Sequence, residues 1–67
     1  KKEILLPRQI AMYLIRKELD ASFEQVGAAF AKNHTTVMHA VDKVVALLRK
    51  DQKVVRDVNA VKGSMGL

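Results

Sequence analysis

The 67-residue sequence has no cysteine, no tryptophan, one proline, three glycines, one tyrosine and two phenylalanines. Without cysteine there is no disulfide framework and no thiolate metal site, a usage that suits a reducing compartment. No apolar run approaches the roughly 20 residues that span a bilayer, and the N-terminal residues do not have the layout of a signal peptide. Gly27 falls inside a helical pattern and Gly63 and Gly66 lie near the C-terminus, so no glycine-rich linker divides the chain. One domain is expected over residues 1–67, with 1–6 the end of an upstream basic loop or linker and 63–67 a flexible tail. A domain this small buries only about 60% of its unfolded surface, which leaves little room for an enclosed catalytic cavity. The first residue is Lys1 and the last five are Gly63-Ser64-Met65-Gly66-Leu67, and the chain reads as a piece of a longer protein.

What is abundant is positive charge and helical periodicity. Twelve lysines and arginines against seven acids give a formal charge of +5, and a small basic domain favours polyanionic partners such as nucleic acid or an anionic membrane. Ile4-Leu5-Leu6 precede Pro7, a residue suited to the first turn of a helix. From Pro7 to Leu19 the residues Ile10, Ala11, Leu14, Ile15 and Leu19 form one apolar stripe, with Arg8, Gln9, Arg16 and Lys17 mostly outside it. Asp20-Ala21 breaks this run. Ser22, three residues before Gln25, has the spacing of a capping box that opens a second helix over about Phe23 to Ala31, its inward side chains being Phe23, Val26 and Phe30. Lys32-Asn33-His34 is a polar interruption. Thr35-Thr36 opens a third helix to about Lys50, burying Val37, Ala40, Val41, Val44, Leu47 and Leu48. Asp51 starts a fourth with Val54, Val55, Val58 and Val61. The fold class is all-α.

The second and third helices have the spacing of a helix-turn-helix. Gly27 is the small residue that lets two helices approach, Val26 and Phe30 bracket it, and Val37 and Ala40 face back. A glycine inside a helix costs about 1 kcal/mol relative to alanine, so a packing reason is expected. The third helix then presents Asn33, His34, Thr35, Thr36, Met38, His39, Asp42 and Lys43 outward. Short polar side chains at a helix tip can reach base edges in a major groove, and the backbone N–H groups there favour phosphate. Each residue also has an ordinary reading: Asn33 or Thr35 as a helix cap, His34 as a surface histidine, the cations as a solvated face. His34 and His39 are five apart with no carboxylate beside them, which argues against a zinc site. Ser22 has no His–Asp constellation and is explained by capping.

Taken together, Arg8-Gln9-Ile10-Ala11-Met12-Tyr13-Leu14, Ser22-Phe23-Glu24-Gln25-Val26-Gly27 and His34-Thr35-Thr36-Val37-Met38-His39-Ala40 resemble the C-terminal DNA-binding domain (domain IV) of the DnaA family of bacterial chromosomal replication initiators. The resemblance covers nearly the whole chain. It implies a Trp-repressor-like helical fold that binds double-stranded DNA at short origin repeats, the DnaA boxes. It implies base reading by Asn33, His34 and Thr35, and contacts to the DNA backbone by Thr36, His39, Arg8, Gln9 and Arg16. Ser22, Phe23 and Glu24 would form the rim, and the cations Arg8, Arg16, Lys17, Lys32 and Lys43 are expected to attract DNA by acting on phosphates. The chain departs from the family in three ways. Its turn Ala31-Lys32-Asn33 is one residue shorter than the usual Gly-x-Arg-Asp; Asn33 replaces an acid and Glu24 a proline or neutral residue; and Lys1-Lys2 stand as the stub of a basic loop whose minor-groove arginine is missing.

The expectation is therefore a sequence-specific origin-binding domain acting in bacterial chromosome replication, and not an enzyme. No Gly-x-x-x-x-Gly-Lys-Thr loop occurs, so no cofactor is expected in this chain and ATP is expected in the parent protein. The setting implied is cytoplasmic and nucleoid-associated, with an isolated domain that is monomeric and acidic phospholipid contact a feature of the parent. Two alternatives use the same residues differently: a helix-turn-helix transcriptional repressor, and a basic helical module that docks an acidic protein or anionic membrane.

Overall fold

The computed structural model describes the backbone of residues 2–67 and the side chains of residues 6–67. Four helices follow one another: α1 (Lys2–Glu18), α2 (Phe23–Phe30), α3 (His34–Leu48) and α4 (Gln52–Ser64). There is no strand among the described residues. The helix-start signal read at Pro7 is displaced, because α1 is helical from Lys2 and Pro7 lies inside it. So near a helix start, the only backbone bond that proline removes is the one to the Glu3 carbonyl. Residues 2–6, read as linker, are thus helical, while Lys1 lies outside the described residues.

α1 is the centre of the domain because it is buried on two sides. Ile10, Tyr13 and Leu14 pack with Val44 of α3 and Val54 and Val58 of α4. Met12, on the other side of the helix, packs with Val26, Val37 and Ala40 of the helix-turn-helix. The single stripe read from the sequence contains Ile10 and Leu14 of the first cluster and Ile15, which packs against the second, but it omits Tyr13 and Met12. It also includes Leu19, which is 58% exposed: Leu19 lies past the last helical residue, where the chain turns through Asp20 at φ 56°, a conformation aspartate tolerates better than most residues. Of the inward positions read for α2, α3 and α4, Val26, Val37, Ala40, Val44, Val54 and Val58 are buried and Phe23, Phe30, Val41, Leu47, Leu48 and Val61 pack around them, while Val55 is only half-buried and belongs to neither cluster.

The turn between α2 and α3 is three residues long, and its geometry explains Gly27. Past the end of α2, Ala31 adopts the left-handed conformation (φ 56°, ψ 42°). The Ala31 N–H donates to the Ala28 carbonyl at 3.4 Å and the Lys32 N–H to the Gly27 carbonyl at 2.8 Å. This paired 5→2 and 6→1 pattern is a Schellman cap. It folds the turn back on α2 until the Lys32 carbonyl sits where a Cβ on Gly27 would be. The close approach at Gly27 is therefore to the turn's own backbone and not to α3, which corrects the expectation of a helix crossing.

Two substitutions in this turn should move stability in opposite directions. Gly27→Ala would gain helix propensity but drive a methyl into the Lys32 carbonyl, and a net loss of about 1–3 kcal/mol is expected from overpacking. Ala31→Gly removes a left-handed alanine, whose conformation costs roughly 1–2 kcal/mol, and should raise the melting temperature by several degrees. Thermal melts followed by circular dichroism read both; a Gly27→Ala protein as stable as its parent would refute this account of the turn.

The remaining connections are set by capping side chains. Asp51 caps α4 by accepting from the Lys53 N–H at 3.0 Å. α4 continues through Gly63 and Ser64, so the tail read at residues 63–67 begins only at Met65. An ion pair between Lys62 and Glu18 at 3.2 Å joins the end of α4 to the end of α1; partly exposed pairs of this kind contribute little, about 0–1 kcal/mol.

Candidate nucleic-acid interface

The N-terminus of α3 is built by Asn33. Its backbone is extended (φ −78°, ψ 163°), and its side-chain Oδ1 accepts from the Thr36 N–H at 2.8 Å. Of the two capping candidates in the sequence, Asn33 is the cap and Thr35 is inside the helix. Capping accounts for the Thr36 amide; the His34 and Thr35 amides of the first turn are left for partners outside the helix. No acidic residue occupies this turn, so the positive end of the helix dipole is not offset there. Asn33, His34, Thr35 and Thr36 are all exposed. Together they form a polar tip of short side chains on a 15-residue helix, of a width that a DNA major groove admits.

Beside this tip a concave groove of about 330 Å³ runs between α1 and α3, walled by Arg8, Gln9, Lys32, Thr36, His39 and Lys43 and floored by Met12 and Ala40. Residues from α1, the turn and α3 thus converge although they are far apart in sequence. Three cations meet one hydroxyl, one imidazole and one amide, a set able to hold phosphate by charge and by hydrogen bonds. Gln9 Oε1 is buried without a hydrogen-bond partner. Lys43, one of the cations expected to act on phosphates, lines this groove. Its place in the groove follows from the spacing Thr36, His39, Ala40, Lys43, which puts all four on one side of α3.

Arg16 and Phe23 lie together elsewhere. The Arg16 guanidinium sits 4.6 Å from the centre of the Phe23 ring, donates from Nη1 to the Ala21 carbonyl at 3.2 Å and approaches Asp20 at 4.0 Å. It fastens the α1–α2 loop and is not part of the groove. Ser22 and Gln25 complete the capping box: Ser22 Oγ accepts from the Gln25 N–H at 3.0 Å and Gln25 Oε1 accepts from the Ser22 N–H at 2.8 Å. Glu24 is exposed in the first turn of α2.

Two helices joined by a three-residue turn, the second with an uncovered polar tip, define a helix-turn-helix domain. The chain belongs to the bacterial DnaA helix-turn-helix family: the family model described as "Bacterial dnaA protein helix-turn-helix" matches residues 1–44. Its curated relatives include the chromosomal replication initiator protein DnaA of Thermomicrobium roseum, 48% identical over 66 residues, covering 97% of this chain and 14% of the relative. The protein of the same name from Limosilactobacillus reuteri is 45% identical over 65 residues, covering 96% of this chain and 15% of the relative. That of Deinococcus radiodurans is 41% identical over 61 residues, covering 91% and 13%. The chain thus spans about one seventh of the length of these relatives. No solved structure gave a significant match. The family model ends at Val44, inside α3, so the likeness of α4 rests on the pairwise relatives.

Proposed function

We propose that this domain binds double-stranded DNA in a sequence-specific way at DnaA boxes of a replication origin and so serves the initiation of bacterial chromosome replication. The observation that carries the reading is the convergence of Arg8, Gln9, Lys32, Thr36, His39 and Lys43 on one groove beside the exposed tip Asn33-His34-Thr35. In this arrangement α3 enters the major groove tip first, where Asn33, His34 and Thr35 meet base edges. The groove between α1 and α3 then receives the sugar-phosphate backbone. Ser22 and Phe23 lie on the rim at the start of α2, and Arg16 supports that rim. Membership of the DnaA family and the basic charge of +5 support the same assignment. The domain supplies recognition and no chemistry; ATP is bound elsewhere in the parent protein, which works in the cytoplasm on the nucleoid, and the domain engages each box as a monomer.

Selection of bound duplexes from a random pool tests this directly: enrichment of one short box of about nine base pairs is the expected result, and a pool that stays random rejects the reading. The role of His34 is tested by His34→Ala. A lost base contact costs roughly 1–3 kcal/mol of discrimination. The ratio of box to scrambled-duplex affinity should therefore fall by about fivefold or more, with the salt dependence of scrambled binding unchanged. Equal weakening on both duplexes would instead place His34 on the DNA backbone.

A further inference from the structure

We infer that Asn33 selects a hydrogen-bond-accepting base, guanine before thymine, and rejects cytosine. The inference rests on the DNA-binding reading above and adds the sense of one contact. It starts from the cap. The Thr36 backbone N–H is a donor, so the atom of the Asn33 carboxamide that meets it at 2.8 Å must be the carbonyl oxygen. The orientation of the amide is therefore fixed by chemistry. With Oδ1 held by the cap, the other end of the side chain is Nδ2, with two N–H donors and no acceptor. Asn33 is exposed and immediately precedes the tip residues His34 and Thr35.

A group that can only donate sorts the bases by what they show in the major groove. Guanine presents two adjacent acceptors, O6 and N7. Thymine presents O4 beside its methyl group, and adenine presents N7 next to an amino donor. Cytosine presents only its amino donor. Donor against donor leaves both groups unpaired, so cytosine is the base this side chain excludes. An aspartate in the same place would cap with one carboxylate oxygen and offer the other outward as an acceptor, which selects the cytosine amino group. The single exchange of Asn for Asp thus reverses the sense of the contact without disturbing the helix, since the two residues are equivalent as N-caps. A serine would also keep the cap, but its one remaining donor, the hydroxyl hydrogen, sits on the capping oxygen itself and falls short of where the asparagine Nδ2 reaches.

The experiment compares the 67-residue chain with Asn33→Asp and Asn33→Ser, each used to select duplexes from the same random pool, after melts have confirmed that all three fold. At one position of the enriched box the parent should prefer guanine over cytosine by about five- to tenfold, the lower part of the range for a base contact. Asn33→Asp should reverse that preference to cytosine at the same position, and Asn33→Ser should abolish it, with the rest of the box unchanged in all three. Boxes that are identical for the three proteins would overturn the inference while leaving DNA recognition intact, and would mean that the amide donates to a phosphate. A pool that no protein enriches overturns the DNA-binding reading and this inference with it.

Discussion

Met12→Ala is expected to destabilise the domain by about 2–5 kcal/mol, the usual cost of truncating a large buried side chain to alanine. Met12 is 4% exposed and is the α1 side chain in the cluster with Val26, Val37 and Ala40. It fixes the helix-turn-helix to the centre of the domain and also floors the groove. A domain of 67 residues has a total stability of roughly 3–10 kcal/mol on typical per-residue values, so this one change removes a large fraction of it. At roughly 4–8 °C per kcal/mol for a domain of this size, the melting temperature should fall by at least about 8 °C. Met12→Leu, which conserves volume, should cost less than about 1.5 kcal/mol. A melt that Met12→Ala leaves in place would mean that the helix-turn-helix is not held to α1 through this contact.

The second large effect is on binding. If Arg8 and Lys43 each neutralise one phosphate, the double substitution Arg8→Ala, Lys43→Ala should reduce the slope of log K against log salt by about 1.8, at about 0.9 per contact. At 0.15 M salt that corresponds to roughly a 30-fold loss of affinity, falling alike on box and scrambled duplexes because phosphates carry no sequence information. The fold should be unaffected, since both residues are exposed and neither takes part in an ion pair among the described residues. Arg16→Ala provides the contrast. Its guanidinium is engaged by Ala21 and Phe23, so its loss should lower the melting temperature more than it lowers the salt slope. An unchanged slope for the Arg8, Lys43 pair would rule out the groove as the seat of the DNA backbone.

Much of the helix-turn-helix was legible because local rules dominate there. Ser22 and Gln25 form the capping box that their spacing predicts, and Val26, Val37, Ala40 and Val44 follow helical periodicity into the core. Asp51 caps α4, one residue before the helix proper. The tip was legible as a set of residues but not as a set of roles. Asn33 and Thr35 were both capping candidates, and choosing between them depends on which residue has extended backbone, a consequence of how the Schellman turn delivers the chain into α3. For Gly27 the sequence held the right observation and pointed to the wrong neighbour. Glycine in a helix signals close approach, but the identity of the approaching group depends on the direction in which Ala31 turns the chain.

The four helices and the polar tip on the third were readable along the chain because each follows from contacts between residues a few positions apart, and the basic character of the domain is a matter of composition. The sequence also determined the family, through motifs spread over most of the chain. Burial of α1 on two sides arises from packing between helices. Met12 lies among Arg8, Gln9 and Arg16 on the face that periodicity marks as polar, and it is buried because the helix-turn-helix packs there from elsewhere in the chain. The groove has the same origin: Arg8, Lys32 and Lys43 are separate charges along the sequence, and they face one another only because packing around Met12 and Ala40 brings α1, the turn and α3 together. Short-range spacing encodes the elements, but a surface shared by three of them exists only after their buried faces have met.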